Sequence, residues 1–240
     1  MRFRRSAQPP PPPPASEAPW ALLSFLLRYP DERVLGAREE IEEAVDALAP
    51  GPVRDALTRF LTEWRGAPGA LAAEYVQTFD LRRRASLHLT WYSHGDTRAR
   101  GMALLRLKKL YRAAGLPMES RELPDHLTVM LAFAGLAPPG YGEALLTEHR
   151  PALELLRLSL RDAGSPYAHV LDAVAACLPE LTVTDRAEVA RLAHEGPPDE
   201  AVGLEPFGPA EAMPASSPGG SEAQRELAGG SFSRSWEASP

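Results

Sequence analysis

Cysteine is almost missing from this chain. Its one cysteine, Cys177, excludes an internal disulfide and any zinc cluster built from several thiolates of one chain. Cys177 falls in the apolar series Tyr167, Val170, Leu171, Val174, Leu178, and so reads as a small core residue rather than a reactive thiol. Lysine is nearly as scarce, since Lys108 and Lys109 are the only lysines among 26 basic residues. Along the sequence the arginines form no single stripe, and the formal net charge is -6. A chain of that sign repels phosphate backbones, so nucleic acid is not an expected partner. Long apolar runs are lacking as well. The longest, Trp20 to Leu27, is interrupted by Ser24 and falls far short of the ~20 residues that cross a bilayer. The basic start, Met1-Arg2-Phe3-Arg4-Arg5, leads into prolines and not into the apolar stretch of an export signal. A soluble, cytoplasmic protein with no membrane insertion is expected. Val-Ile-Thr alternation at period two is also nearly absent, which argues against a sheet.

Proline, by contrast, is abundant and unevenly placed. Pro9 to Pro14 is an unbroken run, favouring polyproline II or disorder, so residues 1–17 read as a disordered tail with three arginines and one glutamate. Residues 195–240 carry eight acidic and two basic residues among Pro, Gly and Ser. Such a segment buries too little apolar surface to offset its ordering entropy and reads as a second disordered tail.

Residues 18–194 have the 3-to-4 apolar spacing of amphipathic helices. Ile41, Val45 and Leu48 form one stripe; Val53, Leu57, Phe60 and Trp64 form another. Leu71, Tyr75 and Phe79 continue the pattern, as do Leu104, Leu107 and Tyr111. The clearest run is Leu146, His149, Leu153, Leu156, Leu160. Gly66, Gly115, Pro138-Pro139-Gly140, Gly164 and Pro179 supply stop signals. The expectation is an all-α fold: a single helical domain of about eight or nine helices between the two tails.

The chemistry-bearing residues concentrate between Glu74 and Phe133. Ser93 or Asp96 is positioned to cap the helix that ends near Ala114. Pro124 suits the first position of the next helix, with Asp125 in its first turn complementing the dipole. Capping leaves His126, beside Asp125, unexplained. It also leaves the cluster His88, Trp91, Tyr92 and His94 in an apparent connection, where polar aromatic and imidazole groups are candidates for recognition.

The ordered motifs Tyr75–Asp80 (YVQTFD), Leu87–Gly101 (LHLTWYSHGDTRARG) and Glu122–Leu127 (ELPDHL) resemble the NarJ-type chaperones of the nitrate reductase delta-subunit family over residues 20 to 180. The resemblance implies an all-helical fold without catalytic activity and without a stably bound cofactor. It further implies binding to the N-terminal segment of a nitrate reductase catalytic (alpha) subunit while that client receives a molybdenum-pterin cofactor, before docking at the membrane. The proline, aspartate and histidine of the family's peptide-binding groove carry over to Pro124, Asp125 and His126. Tyr75, Phe79, His88, Tyr92, Asp96 and Arg100 are the other candidate client-binding residues; Tyr75 and Phe79 also fit a plain core stripe. NarJ-type chains usually continue the last motif with a proline and then an acidic residue, whereas Thr128 and Ala132 stand here. That leaves Asp125 as the nearest carboxylate for a client's basic group.

Two other readings compete. As a metal-dependent hydrolase the chain would use His88, His94, Asp96, Asp125 and His126 as its metal site, but no helical ligand pair such as H-E-x-x-H is present, so no stoichiometric metal and no hydrolase activity are expected. A helical scaffold could instead bind partners through its acidic tail, residues 195–240.

Overall fold

A computed structural model describes residues 18–118 and 122–198. The two expected tails lie outside the described residues, apart from 195–198. Twelve α-helices follow one another among the described residues: α1 Trp20–Leu26, α2 Glu32–Gly36, α3 Arg38–Asp46, α4 Pro52–Glu63, α5 Pro68–Tyr75, α6 Leu89–His94, α7 Arg98–Ala113, α8 Leu127–Leu136, α9 Tyr141–Glu148, α10 Arg150–Asp162, α11 Tyr167–Ala176 and α12 Val183–Glu195. A π-helical turn, Val76–Asp80, and a 3₁₀ turn, Arg83–Ala85, lie between α5 and α6. No β-strand occurs among the described residues, and no described helix is long and apolar enough to cross a membrane.

The all-α expectation holds, but eight or nine helices is an undercount. Helices as short as α2 and α6, at five and six residues, span fewer than two turns and show no repeated apolar stripe. The run Leu146 to Leu160 is also two helices, not one. The chain bends at His149 (φ -98°, ψ 16°), and Pro151 enters the first turn of α10 without requiring a donor. His149 marks the bend by donating from Nδ1 to the Leu145 carbonyl at 3.0 Å.

The centre of the core is the packing of α4 on α11, with α10 behind it and α1 against α8. Leu57, Phe60 and Trp64 bury the stripe read from sequence, meeting Tyr167, Val170, Leu171 and Val174. The Trp64 indole donates to the Tyr167 hydroxyl at 3.2 Å, satisfying the one polar atom its burial would strand. The π-turn keeps Tyr75 and Phe79 on the same side, with ring centroids 5.7 and 5.0 Å from Tyr167. Gly142 is fixed by close approach: a Cβ there would meet the Ala134 backbone of α8 at 2.4 Å. Gly164 ends α10 at φ +65°, with Ser165 N bonded to the Leu160 carbonyl, a left-handed closure that glycine adopts without strain.

Candidate functional site

The last two motifs meet in one backbone contact. Leu89 N donates to the Asp125 carbonyl at 3.0 Å, and Leu127 N donates to the Leu87 carbonyl at 2.8 Å. These bonds flank His88 and His126, making them a non-hydrogen-bonded antiparallel pair. Side chains of such a pair emerge close together on one side. The two imidazole rings accordingly stand edge to face, 5.1 Å between centroids.

The turn that sets this pairing is Leu123-Pro124-Asp125-His126, closed by His126 N to the Leu123 carbonyl at 3.1 Å. Pro124 therefore occupies the second position of a β-turn, which its fixed φ favours, and not the first position of a helix. Asp125 likewise precedes α8, and His126 is its N-cap residue. The buried Tyr111 hydroxyl donates to the Pro124 carbonyl at 2.6 Å, tying the turn to α7.

Asp125 is the hub. Its side chain is 0% exposed. Oδ1 accepts from His88 Nδ1 at 3.1 Å, while Oδ2 accepts from the Thr90 hydroxyl at 2.5 Å and from Arg100 at 3.3 Å. Burial alone would raise its pKa. The hydrogen bonds from His88 and Thr90, with the charges of His88 and Arg100, outweigh burial and lower it to about 2. A carboxylate so enclosed is not presented to solvent. Pairing of Asp125 with a client's basic group is therefore corrected: the carboxylate is consumed inside the fold, where it orients His88 and Arg100.

Arg100 spans inward to Asp125 and outward to Asp96 at 3.1 Å, and the Asp96 side chain is 78% exposed. Asp96 thus anchors Arg100 and does not cap α7; the cap position is Thr97, whose hydroxyl donates to the His94 carbonyl. Thr128 bonds His126 Nδ1 at 2.7 Å through its hydroxyl. Burial pushes the His126 pKa down, and the neighbouring His88 adds to this while Glu122 and Asp125 oppose it.

Three expected groove residues sit elsewhere. Tyr75 and Phe79 are core, and the Tyr75 hydroxyl donates to the Leu27 carbonyl at 3.0 Å. Tyr92 is buried with its hydroxyl between the Arg84 and Ser86 carbonyls, both at 3.0 Å. The structure therefore gathers Pro124, Asp125, His126, His88, Arg100 and Asp96, and separates Tyr75, Phe79 and Tyr92 from them. Thr90 and Tyr111 complete the hub without having been singled out; Thr90 was visible only as a neighbour within its motif. His88, Glu122 and His126 each bring a ligand atom within 4.8 Å of the others, making them the described group best suited to hold a cation.

Beside the hub, α7 is sparsely covered. Of its sixteen residues only Leu107 and Tyr111 are buried. Met102 and Leu105 are 65% and 52% exposed. They edge a groove of about 660 Å³ whose other walls include Thr90, His94, Leu107 and His149. Thr90 thus faces both hub and groove. The same helix carries Arg98, Arg100, Arg106, Lys108, Lys109 and Arg112 with no acidic residue. Arg106 is paired across the groove with Glu148.

The nitrate reductase delta subunit family model matches residues 38–173, more than half of the chain. A probable nitrate reductase molybdenum cofactor assembly chaperone, NarJ, from Bacillus subtilis (strain 168) is 30% identical over 170 residues, covering 70% of this chain and 92% of the relative. The nitrate reductase molybdenum cofactor assembly chaperone NarJ of Escherichia coli (strain K12) is 36% identical over 154 residues, 63% of this chain and 65% of that one. The nitrate reductase-like protein NarX of Mycobacterium tuberculosis (strain ATCC 25618 / H37Rv) is 42% identical over 156 residues, 65% of this chain but 23% of NarX, so this chain spans under a quarter of that relative. The match to the family model and the near-complete coverage of the Bacillus relative place this chain in the nitrate reductase delta subunit family.

Proposed function

We propose that this protein is a cytoplasmic assembly chaperone for a respiratory nitrate reductase. It binds the N-terminal segment of the catalytic subunit while the molybdenum-pterin cofactor is inserted and before that subunit docks at the membrane. It is an assembly factor and not a catalyst, and the molybdenum-pterin cofactor is received by its client. Family membership supports the chaperone role. The observation that carries the site is the half-open groove along α7, edged by exposed Met102 and Leu105 and held by the Asp125 hub through Thr90.

The groove suits an amphipathic client helix. Its apolar face would cover Met102 and Leu105, removing exposed apolar surface from water. The motif residues act one layer back. Asp125 fixes Thr90 and Arg100, and Tyr111 fixes the Pro124 turn, so α6 and α7 keep their spacing as the client enters. Such preorganisation saves ordering cost at binding.

The test is affinity capture of the full chain from its native host, with mass spectrometry of what co-purifies. The catalytic subunit is expected, and its loss when that subunit lacks its N-terminal segment. Capture that survives deletion of the client segment but fails when residues 195–240 of this chain are removed would instead place binding in the acidic tail.

A further inference from the structure

We propose that His88, Glu122 and His126 form a binding site for a divalent transition-metal ion of the zinc class. Sequence spacing hides this set, because His88 comes from the segment before α6 while Glu122 and His126 flank the Pro124 turn. The antiparallel contact brings them together, and their ligand atoms lie within 4.8 Å of one another. Two imidazoles and a carboxylate are a donor set that suits such ions.

The arrangement behind the ligands is what separates this set from an accidental cluster. A metal-binding histidine generally donates its second ring nitrogen to a carboxylate or other acceptor, which fixes ring and tautomer. His88 Nδ1 is held by Asp125, itself buried and anchored by Thr90 and Arg100. His126 Nδ1 is held by the Thr128 hydroxyl at 2.7 Å. Both rings therefore spend Nδ1 on the protein and keep Nε2 for a ligand. The backbone contact sets the separation of the two rings, so their placement precedes the metal. Glu122 is at the surface, with one oxygen accepting from Leu123 N at 3.0 Å. A tetrahedral ion with bonds of about 2.0–2.1 Å draws its ligands to roughly 3.4 Å apart, so binding draws this set, now within 4.8 Å, closer together. Three protein ligands leave a fourth position open at the surface, where a water or a donor atom from another molecule completes the coordination.

The test is titration of the untagged full chain with ZnCl₂ by calorimetry, repeated with CoCl₂ to read coordination from the visible spectrum. One ion per chain is expected, with affinity falling as pH drops and the imidazoles protonate. Glu122→Gln and His126→Ala are each expected to weaken binding at least tenfold, and Cys177→Ser to leave it unchanged. Glu122→Gln changes only a surface side chain and keeps the idea testable should His126→Ala fail to fold. Absence of one-to-one binding in the wild type, or unchanged affinity in Glu122→Gln, would overturn the assignment.

Discussion

His88 and Asp125 are separated by 37 positions in sequence, yet their side chains meet at 3.1 Å, the carboxylate fully buried and the imidazole partly open. The pair joins the LHLTW and PDH segments, and Thr90 and Arg100 bring in the start of α6 and the first turn of α7. What reads in sequence as separate motifs is one knot around a single carboxylate.

Asp125→Ala should therefore act first on stability. It leaves Arg100 and His88 facing a vacated buried site, the situation in which breaking a buried pair costs about 3–5 kcal/mol. Urea denaturation followed by circular dichroism measures the loss. A change under about 1 kcal/mol would mean that the hub does not hold the fold.

The hub also sets an acid limit. The folded pKa of Asp125 is lowered from 3.8 to about 2. Its contribution is therefore present in full above the unfolded value and is lost as pH falls between about 4 and 2. His126 and His149 act earlier and in their own sense: burial lowers both, so the unfolded chain takes up their protons first. Stability should decline as pH falls through the ordinary histidine range, before the Asp125 limit is reached. Thermal melts between pH 7 and pH 5 check this; in His149→Gln the decline should be shallower.

Tyr75 separates core from groove. Tyr75→Phe loses the bond to the Leu27 carbonyl and should cost about 0.5–1.5 kcal/mol. Client affinity should stay within about twofold, because the ring is packed on Phe79 and Tyr167 and is not among the residues lining the groove. A stability-neutral variant that loses client binding would return Tyr75 to the groove.

Cys177 should be slow toward alkylating reagents at neutral pH. Burial pushes its thiol pKa up to about 11, leaving little thiolate. Labelling at the rate of a free exposed thiol would contradict the burial.

The helical fold was legible because period and punctuation are local. Leu57 and Phe60 became the buried face of α4, with Trp64 buried at its C-cap and Val53 partly buried, and Gly164 became a helix stop. The junction at His149 was not, since the apolar steps cross it without a break while the backbone bends. The hub was half legible. The motifs named His88, Arg100, Pro124, Asp125 and His126, but a single pair of facing residues leaves no period to read. An aspartate after a proline looks like a helix-start residue until the partners that bury it are known. For Tyr75 and Phe79 the apolar stripe fitted groove and core equally, and Tyr167, about ninety residues on, decides for core.

The central claim, that a client segment docks along α7, is tested most directly by calorimetry of a peptide from the N-terminus of the nitrate reductase catalytic subunit. Wild type would be compared with Met102→Asp and Leu105→Asp. Both positions are more than half exposed, so the fold should be retained, as circular dichroism would verify. A charge placed on the apolar edge of the groove should weaken binding at least tenfold, about 1.4 kcal/mol, in each variant. Unchanged affinity in both folded variants would contradict the account and place the client elsewhere on the molecule.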